Sequence, residues 1–320
     1  MEFTIIQAVL PSFAVAALGY FYSVKGTPLD TRSIADLIYY IFSPCLVFSS
    51  LSKRSFHCKE FLLIGISVTI LIMGMMIIVF LYMKLHRIEK KGFYLPIIFM
   101  NTGNIALPMA LLLYGNEGLS KAIIFHLVNV MFLYSMGVFL VSKKINLKDL
   151  FKIPFLHAAI FGVLVSMFPV AVPEPLSKYL SLIAKGIDLL AKGAIPLLIL
   201  SLGYSINRTR LPDLRHGLAG AWLRVFLGPA MAVGLILFFR HIGWTGPVHS
   251  YYNISQDVRT TEAVIILMAS MPAPITSFLL NEKFDNCPEQ AASMVLVGSL
   301  TGVFSIPFVL ALSQKILFTH

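Results

Sequence analysis

Charged residues are scarce in this sequence, and their scarcity decides the class of protein. Only 12% of the 320 residues are Asp, Glu, Lys or Arg, about half the share found in soluble domains. Hydrophobic residues make up 58%, and the mean hydropathy is +0.83. Repeated apolar runs of roughly 20 residues match the thickness of a bilayer core. The composition therefore excludes a soluble protein and predicts a multi-pass membrane protein. In such a protein the formal charge of +10 does not indicate nucleic-acid binding. The positions of the Lys and Arg residues instead indicate the orientation in the membrane.

Cysteines are few, and the motifs of membrane enzymes are absent. Cys45, Cys58 and Cys287 show neither paired nor metal-binding spacing, so we assign them no role and expect no metal site. The sequence has no H-E-x-x-H motif, no adjacent pair of intramembrane aspartates and no P-loop. We therefore expect no enzyme activity, no cofactor and no ATP-driven step. Transport by such a chain would draw on an ion gradient or on substrate exchange.

Long loops and low-complexity linkers are missing as well. The apolar runs follow one another with short connections, so we predict an all-α polytopic membrane protein with ten transmembrane helices. The chain would form a single membrane transporter domain over residues 1–320. The predicted spans are 3–22, 30–51, 61–83, 93–114, 119–141, 154–172, 186–206, 216–239, 261–281 and 289–313.

Lysine and arginine are distributed unevenly between the predicted loops. The loops after odd-numbered spans carry fourteen of these residues, and the opposite loops carry eight. In membrane proteins the cytoplasmic loops hold the excess of Lys and Arg. We therefore expect both termini to lie on the extracytoplasmic side of the cell membrane, whether a plasma membrane or a bacterial inner membrane.

Polar and helix-breaking residues interrupt the fourth span. Asn101, Thr102, Gly103 and Asn104 lie at its centre, and Pro108 follows one turn later. Proline has no N–H to donate and crowds the preceding turn, and glycine is a weak helix former. Unwound backbone at bilayer depth is tolerated only where protein encloses it or where it lines a watery cavity. The break is therefore a candidate binding site.

A second interruption lies in the ninth span, with Met271, Pro272 and Pro274 at its centre. Two interrupted spans in corresponding halves of a membrane chain indicate a transporter binding site. The alternative is a pair of proline-kinked helices that bind no ligand. Because the first break is rich in amides, we favour the binding site. We predict that spans four and nine are discontinuous and cross near the bilayer midplane.

The two halves of the chain repeat one another. In spans two and seven an offset of 152 residues aligns Asp36 with Asp188, Pro44 with Pro196, Leu46 with Leu198 and Ser49 with Ser201. Each half holds five spans, an odd number, so the second half must be inverted relative to the first. We predict two inverted repeats, over 1–141 and 154–313.

The sequence resembles the auxin efflux carrier family, within the wider group that includes bile acid–sodium symporters. The likeness covers the whole chain. The segments that carry it are Asn101–Pro108, Tyr114–Gly118, Ala194–Leu198, Arg224 with Pro229, and Met271–Pro274. The resemblance implies ten helices in two inverted repeats, broken helices four and nine that cross, and a scaffold domain separate from a transporting one. It also implies export or exchange of organic anions. The chain lacks the large hydrophilic loop of the long plant exporters and the acid–lysine pair that some plant members carry in span three.

Further polar side chains lie within the spans. Asn129 on span five is either a wall of the site or an interhelical hydrogen-bonding residue, because polar side chains in spans face the bundle interior. Ser43, beside Pro44, and Ser277 are further candidates for substrate contact. His126 lies one turn before Asn129, and we favour a structural role for it over proton coupling.

Asp36, Asp188 and Arg224 are charged side chains that lie inside predicted spans. Asp188 is flanked by Lys185 and Lys192 at i−3 and i+4, which predicts a local ion pair. Arg224 is expected to extend its charged head to the cytoplasmic side. We favour structural roles for both residues and for Asp36.

The whole pattern predicts a secondary active transporter of a small organic anion, such as a mono- or dicarboxylate, that works by elevator-type alternating access. Asn amides donate to a carboxylate without adding charge, and helices that start at the breaks favour an anion. The alternative is a sodium- or proton-coupled symporter or a cation antiporter of the same architecture. Besides the anion, the expected partners are H+ or Na+, the lipid bilayer and a second copy of the chain in a homodimer.

The predicted substrate-binding residues are Asn101, Thr102, Gly103, Asn104, Pro108, Asn129, Ser43, Pro44, Met271, Pro272, Pro274 and Ser277.

Overall fold

The computed structural model describes residues 2–26, 30–53, 58–88, 91–143, 147–168, 173–174, 176–208, 214–244 and 256–318. Within these ranges the secondary structure is helical and includes no strand. Six helical segments are long and apolar enough to cross a membrane: Ser33–Ser52, Lys59–Leu85, Tyr94–Ser142, Leu176–Ser205, Gly217–His241 and Pro288–Ser313. The predicted all-helical, multi-pass membrane protein is confirmed at this level.

The α-helices overlap the predicted spans, but the helix Leu176–Arg208 begins ten residues before the predicted start at 186 and the helix Gln256–Ala269 begins five residues before the predicted start at 261. In chain order they are α1 Glu2–Val24, α2 Thr31–Leu37, α3 Ser43–Ser52, α4 Cys58–Leu85, α5 Tyr94–Ile98, α6 Leu107–Phe132, α7 Val138–Ser142, α8 Pro154–Met167, α9 Leu176–Arg208, α10 Leu214–Trp222, α11 Gly228–His241, α12 Gln256–Ala269, α13 Ile275–Lys283 and α14 Pro288–Phe318. Turns of π-helix at Ile38–Phe42, Thr102–Ala106, Leu133–Gly137 and Leu223–Leu227 connect neighbouring segments.

The boundary predicted between spans four and five coincides with a kink at Gly115. Its backbone has φ 64° and ψ −160°, and two helical segments meet there within the range of α6. A positive φ favours glycine because a Cβ would clash with the backbone. The change of direction therefore depends on one residue.

The chain divides into two compact units. The larger unit consists of Met1–Pro11, Leu62–Ile145 and Thr209–His320, and the smaller unit consists of Ser12–Phe61 and Asn146–Arg208. The orientation was predicted from the Lys and Arg residues of the loops. Some of these residues, among them Lys90, Lys144 and Arg210, lie outside the described residues. The outward orientation of the termini stays a prediction.

Close helix contacts in the smaller unit depend on glycine. A Cβ added to Gly19 of α1 would lie 2.2 Å from the carbonyl oxygen of Leu200. A Cβ added to Gly203 of α9 would lie 1.8 Å from the carbonyl oxygen of Ala16. Small residues let the backbones of membrane helices approach closely. These two glycines therefore allow α1 and α9 to make direct backbone contact.

Asp188 of the smaller unit forms its ion pair with a residue outside its own helix, whereas the predicted partners lie on the same helix. Lys53 Nζ lies 2.6 and 2.5 Å from the two carboxylate oxygens, and Ser49 Oγ donates to the same group at 2.5 Å. The predicted pairing with Lys185 and Lys192 was wrong, because the partners are Lys53, directly after α3, and Ser49 of α3, which lie 135 and 139 residues away in sequence. The structural role favoured for Asp188 agrees with this arrangement. Asp36 is exposed.

Two buried cations, Arg240 and Lys121, hold α12 within the larger unit. Arg240 of α11 forms a buried salt bridge with Glu262, and its Nε donates to Glu262 Oε1 at 3.0 Å. Lys121 of α6 has no solvent exposure, and its Nζ contacts Asp257 Oδ1 and Thr261 Oγ1, each at 2.6 Å. Buried charges require such partners. The first half of the ninth span is thereby fixed to its neighbours on two sides.

Candidate functional site

The first break separates α5 from the π-helical turn that leads into α6. Phe99 adopts an extended conformation, and Asn101 lies outside the helical region of backbone space with φ −75° and ψ 67°. Asn101 Oδ1 accepts a hydrogen bond from the backbone N–H of Asn104 at 3.3 Å. Asn101 is therefore the N-cap of the new helix, a position that favours asparagine. The predicted discontinuity of the fourth span is confirmed.

The second break lies between α12 and α13. Ser270 to Pro274 are not helical, and Pro274 is an extended N-cap with φ −78° and ψ 144°. Ser277 is fully buried, and its Oγ donates to the carbonyl oxygen of Pro274 at 2.6 Å. The ninth span is also discontinuous, as predicted. The hydroxyl of Ser277 serves the start of α13.

The two breaks contact each other directly. The backbone N–H of Asn101 donates to the carbonyl oxygen of Pro272 at 2.8 Å. A Cβ on Gly298 of α14 would lie 3.3 Å from Pro272 Cβ, and a Cβ on Gly302 would lie 3.7 Å from Pro272 Cγ. These two glycines leave the space that Pro272 occupies. We call the meeting of the two breaks the crossing.

A hydrogen-bonded group on α6 supports the crossing. Asn129 Nδ2 donates to the carbonyl oxygen of Met100 at 3.1 Å and to Thr102 Oγ1 at 3.2 Å. His126 Nδ1 lies 2.7 Å from Thr102 Oγ1. A Cβ added to Gly103 would lie 3.2 Å from His126 Cε1. Thr102 of the fourth span and His126 and Asn129 of the fifth therefore form one network.

Three side-chain polar groups at the crossing have no hydrogen-bond partner among the described residues. Asn101 Nδ2 and Asn129 Oδ1 are buried, in side chains that are 4% and 1% exposed. Asn104 is half-buried, and its side-chain amide makes no hydrogen bond within the described part of the chain, although its backbone N–H donates to Asn101 Oδ1. Buried polar atoms are normally paired, so each unpaired one needs an explanation. A polar ligand at the crossing would supply partners.

Arg224 contacts both interrupted spans. It is 1% exposed, so the expected extension of its head to the cytoplasmic side was wrong. Its Nε donates to Met271 O at 3.1 Å, its Nη1 to Ile97 O at 3.4 Å and its Nη2 to Ala269 O at 2.5 Å. A Cβ on Gly228, one turn later, would lie 2.4 Å from Ala269 O and 2.6 Å from Arg224 Nη2. Gly228 thus leaves room for the guanidinium group.

The larger unit contains ten of the twelve predicted site residues. Asn101, Thr102, Asn129, Met271, Pro272, Pro274, Pro108 and Ser277 are buried, and Gly103 and Asn104 are half-buried. Ser43 and Pro44 belong to the smaller unit, where they begin α3. In the described parts of the chain, no group of three His, Cys, Asp or Glu is placed to hold a metal ion.

The carbonyl partners of Arg224 do not follow from the sequence, and neither do the roles of Gly228, Gly298 and Gly302. The available signal was an arginine inside an apolar span four residues before a glycine. That pattern indicates a buried cation, but it does not identify the acceptors. The acceptors come from backbone that is distant in sequence.

The sequence is similar to those of known membrane transport proteins. The sequence matches the membrane transport protein family over residues 4–146 and 138–310. It is 24% identical over 322 residues to an uncharacterized transporter from Methanothermobacter thermautotrophicus, covering 94% of this chain and 96% of that protein. It is also 26% identical over 245 residues to an uncharacterized transporter from Methanocaldococcus jannaschii, covering 72% of this chain and 78% of that protein.

Proposed function

Because the chain belongs to the membrane transport protein family, in keeping with its resemblance to auxin efflux carriers, we propose that it is a secondary active transporter of small organic anions. The substrate would be a mono- or dicarboxylate, moved by efflux or exchange. The family is one of transporters and not of enzymes. The substrate class and the mechanism are the proposal.

The observation that carries the proposal is the unpaired Nδ2 of Asn101. This amide donor is buried at the contact between the two breaks and has no partner among the described residues. Asn104, three residues later, has a second side-chain amide that is not hydrogen-bonded within the described part of the chain. Two amide donors on one helical turn can bind the two oxygens of a carboxylate without bringing a fixed charge into the membrane.

The backbone supports the same ligand. The helix that follows Asn101 and the helix that follows Pro274 both start at the crossing. The first N–H groups of a helix have no partner within it, and the positive end of the helix dipole favours an anion. A carboxylate at the crossing would therefore meet amide donors from two helices and two side chains.

The proposed mechanism is elevator-type alternating access. Both breaks, α6 and Arg224 belong to the larger unit. A site contained within one compact unit can move across the membrane without being dismantled. The proposal also includes the ten-span topology, the inverted repeats over 1–141 and 154–313, a crossing near the midplane, and coupling to H+, to Na+ or to exchange.

The proposal predicts distinct effects for two asparagine variants. Asn101→Asp keeps the oxygen that caps Asn104 but replaces the donor with a negative charge, so it should abolish uptake of carboxylates. Asn104→Ala removes one donor to a charged group, a loss of about 1.5–3 kcal/mol, which is roughly a tenfold to hundredfold weaker affinity. The measurement is uptake into proteoliposomes from a panel of mono- and dicarboxylates, with and without sodium and proton gradients.

Asn116→Ala is the matched control, because Asn116 lies just beyond the kink at Gly115, away from the break, and is exposed. It should keep wild-type uptake. Melting temperatures of all three variants separate loss of binding from loss of folding. A stably folded Asn101→Asp protein with normal uptake would rule out this binding site, and a wild type that takes up no carboxylate would rule out the proposed substrate class.

A further inference from the structure

Four helix ends of opposite polarity meet at the crossing. The helices that begin there, after Asn101 and after Pro274, present positive ends, and the helices that finish there, α5 and α12, present negative ends. A helix end carries the equivalent of roughly half an elementary charge. Two positive and two negative ends at one place largely cancel. Broken helices alone would therefore give the crossing little preference for an anion over a neutral molecule.

Arg224 changes this balance because it binds only the negative ends. Its acceptors are the carbonyl oxygens of Ile97 in the last turn of α5, of Ala269 at the end of α12, and of Met271 just beyond. An arginine side chain stays protonated at neutral pH. The guanidinium group therefore places a full positive charge against the two helix C-termini. The positive N-terminal ends are left unopposed.

The pairing of Arg224 differs from that of the other buried cations described in the larger unit. Lys121 contacts the carboxylate of Asp257, and Arg240 contacts the carboxylate of Glu262. The described partners of Arg224 are backbone carbonyls alone. A buried charge that is bonded to helix ends but not to a carboxylate leaves the surrounding site positive.

We propose that Arg224 is the specificity-determining residue that makes the crossing select anions, by neutralising the C-termini of both interrupted helices. Arg224 acts through the helix ends and not through contact with the substrate. The inference rests on the proposed transport of carboxylates, and it adds the origin of the charge selectivity. An acid should be preferred over its own uncharged amide, which has nearly the same size and shape.

The test compares acids with their primary amides. Wild-type protein in proteoliposomes is screened for uptake of radiolabelled lactate, succinate and malate, and each uptake is competed with the unlabelled acid and with its amide. The measured quantity is the ratio of the two inhibition constants. Arg224→Gln keeps one amide donor near the position of Nε but removes the charge, so the ratio should fall by about tenfold or more. Arg224→Lys keeps the charge, so the ratio should stay near the wild-type value even if the protein is less stable.

Gly228→Ala provides a second variant that keeps the arginine. Its added Cβ would lie 2.6 Å from Arg224 Nη2 and 2.4 Å from Ala269 O, which displaces the guanidinium group from the end of α12. We expect an intermediate fall in the acid-to-amide preference. The double variant Arg240→Gln with Glu262→Gln is the control, because it removes a buried charge pair without changing the net charge. Its ratio should equal that of wild type.

The outcomes separate the two proposals. If wild type takes up none of the three acids, carboxylate transport itself is contradicted for this panel. If wild type takes them up but Arg224→Gln and Gly228→Ala retain the wild-type ratio, Arg224 is only structural and the inference is overturned. A fall in the ratio for Arg224→Lys equal to that for Arg224→Gln would also overturn it, because the charge would then not be the cause.

Discussion

Thr102 is the residue on which the polar network of the first break depends. Its Oγ1 contacts both Asn129 Nδ2 and His126 Nδ1. Valine has nearly the same shape but offers no hydrogen-bonding group. Thr102 is itself buried, so replacing it with valine removes hydrogen bonds and changes the exposed surface of the protein little.

We predict that Thr102→Val destabilises the fold, because it leaves polar groups of His126 and Asn129 without this partner. Leaving a buried polar group unsatisfied costs about 1–3 kcal/mol. Thr102→Ser keeps the hydroxyl and should retain most of the stability. The measurement is the melting temperature of the purified protein in detergent. Equal melting temperatures for the Val and Ser variants would show that the hydroxyl contributes nothing.

Some single residues of the site are evident from the sequence, whereas their partners are not. Asn101, Asn104 and Pro272 stand out in the sequence, because amides and prolines are conspicuous in an apolar span. The partner of Asp188 did not follow from its neighbours, since the lysines at i−3 and i+4 were the evident candidates and Lys53 is the partner. Spacing along one helix identifies neighbours on that helix only. It cannot identify a neighbour supplied by a different helix.

Among the helices, α12 is contacted by buried cations at three points along its length. Glu262 is 1% exposed and pairs with Arg240 of α11, while Asp257 and Thr261 contact Lys121 of α6. The last turn of α12 then ends at Ala269, where Arg224 binds. The helix is held by a cation near its start, along its length and at its end.

We predict that Arg240→Met alone is strongly destabilising. Removing one partner of a buried ion pair leaves an uncompensated charge and costs about 3–5 kcal/mol. The double variant Arg240→Met with Glu262→Met should be much closer to wild type, because no unpaired charge remains. Melting temperatures of the two single variants and the double variant give the coupling between the residues. Additive losses would show that the pair does not act as a unit.

The interruptions of spans four and nine were predictable from the sequence because proline and glycine act locally on the backbone. The contact between the breaks was expected from the paired pattern, and the hydrogen bond from Asn101 to Pro272 agrees with it. The donors and acceptors that complete the crossing, above all Arg224, were not predictable. They depend on packing between segments 45 to 127 residues apart.

For the molecule as a whole, the distribution of Lys and Arg predicts that both termini lie on the extracytoplasmic side of the membrane. We expect a cysteine introduced at residue 320 to react with a membrane-impermeant maleimide added from outside to intact cells. A cysteine introduced at Lys143 should react only after the membrane is opened. The background is a chain in which Cys45, Cys58 and Cys287 are replaced by serine. Labelling from outside at residue 143 and not at residue 320 would reverse the topology.

The division into two units has a consequence for biosynthesis. The larger unit is discontinuous, with Leu62–Ile145 made before the smaller unit is finished and Thr209–His320 made after it. Arg224 follows its acceptor Ile97 by 127 residues, which is about 6–25 s of translation at ~5–20 residues per second. During this interval the first break is already synthesised, but Pro272, whose carbonyl accepts from Asn101, and Arg224, which donates to Ile97, have not yet been made. The smaller unit has all its residues once Arg208 is added. The contact between the two breaks can therefore form only once residues of the last third of the polypeptide have been made.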